Sequence, residues 1–237
     1  MKINNISLTA AALALAIVAS AQAAAPASVV KSGKSNEISP FVRTEVGIVS
    51  SPKNTANGGT SFATSFDDFK SETAPGFTAG VLLNQRHELS ISTGYVQFEG
   101  SPVVTAGVAS SNGKVEQVPV LFNYAYHLPV DSKGKWTVYG GPTIGLIHQT
   151  SSLTVTQLGG APASSIGTNS VSENLFAYGA TIGVKGKLSS HWTVGASALV
   201  LEVGSSGGVS FPSLTVKSLE FGSATRTFFA LTAGYSW

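Results

Sequence analysis

The sequence predicts an all-β fold, an eight-stranded antiparallel up-and-down transmembrane β-barrel. Three observations carry that expectation: eight segments alternate apolar and polar residues, the connections between them alternate long and short, and large aromatic residues gather at the short connections and the C-terminus. A period of two sends successive side chains to opposite faces of a sheet. Alternating connection lengths belong to outer-membrane barrels, which have short periplasmic turns and longer extracellular loops.

The chain opens with Lys2 before an apolar run from Leu8 to Val18, and the small-residue tripeptide Ala21-Gln22-Ala23 follows. This is the layout of a secretory signal peptide, residues 1–23, with cleavage expected after Ala23. The run is well short of the ~20 apolar residues that a membrane-spanning helix needs. Residues 24–39 are rich in Ala, Ser, Lys and Pro without a period and read as a periplasmic linker. Residues 40–237 read as one barrel domain, since all-β barrels of about 200 residues form single units.

The strands follow in order. The first sets Val42, Thr44, Val46 and Ile48 outward against Arg43, Glu45 and Gly47. Phe77, Ala79, Val81 and Leu83 form the outer face of the second. After the polar turn Asn84-Gln85-Arg86-His87, the third shows Leu89, Ile91, Thr93 and Tyr95. The fourth carries Val118, Val120, Phe122, Tyr124 and Tyr126. A turn from Leu128 to Lys135 leads into the fifth, whose even face is Trp136, Val138, Pro142, Ile144 and Leu146. The sixth sets Phe176, Tyr178, Ala180, Ile182 and Val184 outward, and the seventh Trp192, Val194, Ala196, Ala198 and Val200. The eighth ends the chain with Thr227, Phe229, Leu231, Ala233, Tyr235 and Trp237 outward.

Connections are long after strands one, three, five and seven and short after two, four and six. Both termini are therefore expected in the periplasm, with loops near 51–74, 99–114, 149–173 and 203–224 outside. Tyr126, Trp136, Trp192, Tyr235 and Trp237 fall beside the short turns or at the C-terminus, where they would form a belt at the periplasmic membrane interface.

Composition narrows the function classes. Charged residues make up 11% of the chain and the formal net charge is +2, so no basic footprint for nucleic acid exists and no such partner is expected. There is no cysteine, which excludes disulfides, thiolate metal sites and cysteine nucleophiles. Mean hydropathy is positive, yet beyond the signal no apolar run is long enough for a membrane helix.

The segments PGFTAGVLLNQRHELSISTGY, EQVPVLFNYAYHL and FFALTAGYSW resemble the OmpA/OmpX/OmpW-like group of small outer-membrane β-barrel proteins, over nearly the whole predicted mature chain. The resemblance implies an address in the bacterial outer membrane, with outer-membrane lipids and lipopolysaccharide as surroundings. It also implies recognition by the barrel-assembly machinery through an aromatic C-terminal strand, here Leu231, Tyr235 and Trp237. The group spans structural proteins, adhesins, small-solute channels and lipid-modifying enzymes.

An eight-stranded barrel is just wide enough to be filled by its own side chains. Arg43, Glu45, Lys185, Glu202 and Arg226 are read as lumen charges that pair inside, because charges removed from water require partners. Three histidines, His87, His127 and His191, fall at turns, and His148 lies at the outer end of a strand. His148 with Ser151 or Ser152 could imitate a His-Ser pair, but His148-Gln149-Thr150 lacks the His-x-Ser arrangement that resembles lipid A deacylases. Asp67, Asp68 and Glu72 could hold a divalent cation in the first long loop, although a solvated loop is the preferred account of them. No phosphate-loop, zinc-protease or hydrolase motif is present. The expectation is a monomeric, non-enzymatic outer-membrane barrel with a structural or surface-interaction role, without cofactor or metal. A channel for small or apolar solutes and a lipid-modifying enzyme are the alternatives.

Overall fold

The computed structural model describes residues 37–50, 70–71, 73–99, 103–105, 108–132, 134–155, 167–209, 219–221 and 224–237. The expected signal peptide and most of the linker, residues 1–36, lie outside that range, as do Asp67, Asp68 and Glu72. Eight long strands are present: β1 (Ile38–Ser50), β2 (Thr73–Leu83), β3 (His87–Gly94, continued by Val96–Glu99) and β4 (Val108–Pro129). They are followed by β5 (Trp136–Val155), β6 (Gly167–Lys187), β7 (Trp192–Val203) and β8 (Ala224–Ser236). Each pairs antiparallel with its neighbours in sequence. The pairing of β1 with β8, from Phe41↔Ser236 to Ser50↔Thr227, closes the ring. Closure removes the open edges that hydrocarbon does not tolerate.

Alternation along the strands separates two environments. Outward Val46, Ile48, Phe122, Ile144, Leu146, Phe176, Ile182, Phe229 and Leu231 are all exposed, whereas inward Thr78, Leu121, Ala125, Thr143, Ile147, Ala177 and Leu201 are buried. So much exposed aliphatic and aromatic surface is foreign to a water-soluble monomer and is what a lipid-facing wall presents. Along β5 the apolar face runs from Trp136 to Leu146. At ~3.3 Å per residue and a tilt of ~40°, that stretch is about 25 Å tall, the height of a barrel's apolar band. The even-numbered face of β5 is the outer one, since Tyr139, Thr143 and Ile147 are buried.

The connections after β2, β4 and β6 are short and share one end of the barrel, called here the turn end. Asn84 and Gln85 both take positive φ, 54° and 58°, and the Arg86 N–H donates to Leu83 O at 3.0 Å. Two successive left-handed residues make the type I′ turn that matches the twist of a hairpin. Between β4 and β5, the Asp131 carboxylate accepts from the Trp136 N–H at 2.8 Å. Between β6 and β7, the Ser189 hydroxyl accepts from the Trp192 N–H at 3.1 Å.

Two expectations change. The barrel begins at Ile38 rather than residue 40, because Ile38 and Ser39 already pair with Leu83 and Leu82. Segments expected in loops near 99–114 and 149–173 are partly strand: β4 starts at Val108, β5 runs to Val155 and β6 starts at Gly167. There the outward residues are His148, Thr150, Ser172 and Asn174, and inward Gln149 and Ser151 are polar as well. Backbone pairing continues where the apolar-polar alternation has ended, so hydropathy alone does not reveal it.

One irregularity sits inside the apolar band. The β4–β5 ladder runs from Asn123↔Thr143 directly to Tyr126↔Gly140 and skips Tyr124 and Ala125 opposite Pro142 and Gly141. Pro142 has no N–H to give a neighbouring strand.

Candidate functional site

The lumen gathers the polar chemistry of the chain. Near the turn end, inward positions of β1 and β3–β6 bring together Arg43, Glu45, Glu88, His127, Tyr139 and Lys185. Arg43 Nε donates to Glu45 Oε1 at 3.0 Å and Nη1 to Glu88 Oε1 at 3.4 Å. Glu88 Oε2 lies 3.0 Å from His127 Nε2, and Glu88 Oε1 accepts from the Ser90 hydroxyl at 3.2 Å. Thr78 Oγ1 donates to Glu45 Oε1 at 2.9 Å. The His127 and Tyr139 rings stack with centroids 5.1 Å apart, and the Arg43 guanidinium stands 5.6 Å from the Tyr139 centroid. Glu88 is 2% exposed and Arg43 13%, so these charges are held by one another rather than by bulk water. A vestibule of about 650 Å³ opens from this cluster to the turn end, with Phe41, Lys185, Lys187 and Trp237 in its walls.

Further along β4 the lumen changes character. Asn123 donates to Ser92 Oγ at 3.0 Å and accepts from Thr143 Oγ1 at 2.9 Å. Next comes an aliphatic layer of Leu121, Ile147, Leu175, Ala177, Leu201 and Val203, with Leu199 and Phe228 packed against it. Beyond it Gln117 donates to Gln149, Gln149 donates to Ser151 Oγ at 3.1 Å, and Arg226 Nη1 donates to Gln117 Oε1 at 2.7 Å. The Arg226 guanidinium lies 4.9 Å from the Phe98 centroid. The barrel is thus filled at four levels: a charged cluster, the Asn123 hydrogen-bonded set, an aliphatic layer and an amide-guanidinium layer. Among the described lumen residues no hydroxyl is hydrogen-bonded to a histidine; His127 Nε2 faces Glu88 instead.

Of the five expected lumen charges, the structure turns Arg43, Glu45, Lys185 and Arg226 inward. Glu202 is a correction. Its neighbours Leu201 and Val203 are buried, so Glu202 points outward, where its Oε2 accepts from Thr225 Oγ1 at 2.7 Å. Its even number matches outward Val200 and Ala198, so the alternation itself carried the signal. Glu88, Tyr139, Gln117 and Gln149 belong to the lumen network and were not singled out from the sequence. Glu88 alternates with outward Leu89, which places it on the same face as Arg43, but only the ring order of the strands brings the two together.

His148 and Ser151 occupy opposite faces of β5. His148 Nδ1 lies 3.0 Å from Asn174 Oδ1 on the exposed outer face, while Ser151 is buried. Ser152 shares the outer face and donates to Lys114 O at 3.4 Å. The His-Ser pair is therefore not assembled.

At the turn end the aromatic residues do cluster. Tyr235 makes edge contacts with Trp192 and Trp237, both at 5.2 Å between centroids, and Tyr126 meets His87 at 5.2 Å. The Trp136 ring lies over Gly186, where a Cβ would stand 2.8 Å from it. Leu231 is 72% exposed on the same outward face of β8 as Tyr235.

At the opposite end, outward positions of β5 and β6 form polar cross-strand pairs. Thr150 and Ser172 are hydrogen-bonded at 2.9 Å, as are Thr154 and Thr168. Beside them Glu116 accepts from Lys114 Nζ at 2.9 Å and from the Tyr95 hydroxyl.

No family model and no curated protein matches the sequence. Solved structures do match. The outer membrane protein OprG from Pseudomonas aeruginosa superposes with a TM-score of 0.58 at 11% identity, over 85% of this chain and 97% of that one. The architecture is that of the small outer-membrane barrels. Two further similar structures are the outer membrane protein AlkL in lipid bilayers, with TM-score 0.49, 14% identity and coverage of 90% and 96%, and Neisserial surface protein A, with 0.46, 13%, 84% and 97%. At these identities the likeness concerns the fold.

Proposed function

We propose that this barrel resides in the bacterial outer membrane, turn end in the periplasm, as a non-enzymatic structural or surface-interaction protein that conducts no ions. Short turns, the start of β1 and the end of β8 at one end support that orientation. The closed lumen carries the reading: Ile147, Ala177, Leu201 and Val203 are at most 1% exposed inside the barrel, and Arg43, Glu88 and His127 interlock beneath them. The outer ends of β4, β5 and β6, with their hydroxyl and amide pairs, would then present the interaction surface. The outward aromatic face of β8, with Leu231, Tyr235 and Trp237, suits recognition by the assembly machinery. The test is planar-bilayer recording on the purified mature protein. Reproducible single-channel steps would refute the closed reading, and a flat trace at several voltages is expected.

One observation favours a second reading, passage of small apolar solutes: the lumen layer between Asn123 and Gln117 is walled by aliphatic rather than polar side chains. Vesicles containing the barrel would then take up a fluorescent apolar dye faster than protein-free vesicles. Equal rates would end that reading.

A further inference from the structure

The lipid-facing wall carries a groove that the readings above do not use. It is an almost wholly apolar hollow of about 540 Å³ crossing β2, β3, β4 and β5, and Ala79, Leu89, Phe122, Tyr124, Pro142 and Ile144 line it. The strand register sets these residues at neighbouring heights: Ala79↔Ile91, Leu89↔Tyr124 and Phe122↔Ile144 are direct partners. Its depth has a cause in the sequence. Ala79 is the small outward residue between Phe77 and Val81, and Pro142 stands where the β4–β5 ladder skips two residues. Phe122 and Ile144, both more than half exposed, stand side by side as one wall, and Leu89 and Tyr124 of the next row form the other.

Toward the turn end the hollow runs into polar groups. His87 Nδ1 lies 2.9 Å from the Tyr124 hydroxyl, and His87 and Tyr126 are direct partners at the aromatic belt. An apolar trough ending at an imidazole and two phenols has the polarity profile of a single lipid, hydrocarbon first and headgroup last. A hollow inside the band faces hydrocarbon rather than water, and a chain lying in it gains contacts on three sides, where a smooth wall offers one.

We propose that this groove binds one glycerophospholipid of the periplasmic leaflet, an acyl chain lying beside Ala79 between the row of Ile91, Phe122 and Ile144 and the row of Leu89 and Tyr124, with the headgroup held at His87, Tyr124 and Tyr126. The assignment to that leaflet rests on the orientation proposed above, whereas the groove itself does not. Its occupant is chosen by position: the hollow adjoins the turn-end belt, and the lipid whose headgroup lies at that belt is the one whose chain reaches it.

Native mass spectrometry of the mature protein, extracted from its membrane in mild detergent and washed, tests this. The wild type is expected to retain one glycerophospholipid. Ala79→Phe, which fills the trough from its floor, is expected to lower occupancy on the order of tenfold, and His87→Ala several-fold. Ala198→Phe, an outward position on β7 across the barrel, serves as the control and should retain the lipid. Heat-modifiable migration on gels verifies that each variant is folded, and Ala79→Leu replaces Ala79→Phe if the ring prevents folding. Occupancy in the filled variants within twofold of wild type overturns the proposal, as does an adduct of detergent alone. Retained lipopolysaccharide in place of phospholipid would overturn the orientation as well, while bilayer conductance on the same preparation reports separately on the closed lumen.

Discussion

Glu88→Ala is expected to cost about 3–5 kcal/mol of folding stability, the largest effect of a single lumen substitution. Glu88 is buried and serves three partners at once: Arg43 at 3.4 Å, His127 at 3.0 Å and Ser90 at 3.2 Å. Removing the carboxylate leaves the Arg43 guanidinium with Glu45 as its remaining ion-pair partner and strips His127 Nε2 of its acceptor, in a place where water cannot fully replace them. Glu88→Gln keeps the volume and one acceptor oxygen and should cost less. Urea unfolding of the barrel in phospholipid vesicles, followed by tryptophan fluorescence, measures both. If Glu88→Ala unfolds within about 1 kcal/mol of wild type, the cluster is ornamental and the charged closure of the lumen contributes little to the fold.

Leu231→Arg is expected to destabilise the inserted barrel by about 2–4 kcal/mol, the range for a cation near the bilayer midplane on a barrel's lipid face. Leu231 is 72% exposed, opposite Ala196 on β7 and Val46 on β1, well inside the apolar band. The same change at Thr225, outward on β8 beside Glu202 at the loop end, should cost no more than about 1 kcal/mol, because there the guanidinium reaches water and a carboxylate. The difference between the two sites is the informative quantity. Equal and small costs at both would mean that Leu231 faces water and that the apolar band is something other than a lipid contact.

The alternation was legible to the residue along most strands. The outward faces of β1, β5 and β8 follow from period-two patterning, because lipid on one side and packed lumen on the other impose opposite demands at every step. Legibility failed in two ways. The outer halves of β4, β5 and β6 are polar on both faces, so the periodic signal disappears although the ladder of β6 against β5 runs unbroken over 20 residues from Gly167 to Gly186. Glu202 was read by its charge rather than by its parity with Val200, and parity decided. The site itself was half visible. Arg43 and Glu45 sit two apart on one strand and both face inward, but Glu88 lies 45 residues from Arg43 and joins it only through the ring order β1, β2, β3.

The sequence by itself determined the strand count, the face of nearly every residue within the apolar band and the end at which the aromatic residues collect, because each is a local consequence of alternation and turn chemistry. Tertiary structure decided what the lumen does with its charges. The turn-end cluster draws on β1, β3, β4, β5 and β6, and the Tyr139 ring has room only because Gly183 on the adjoining strand lacks a Cβ that would stand 2.4 Å from it. Such contacts depend on which strands neighbour one another and in what register. Those are properties of the closed sheet rather than of any one segment, and for the same reason the lipid-facing groove across β2 to β5 has no counterpart in the linear chain.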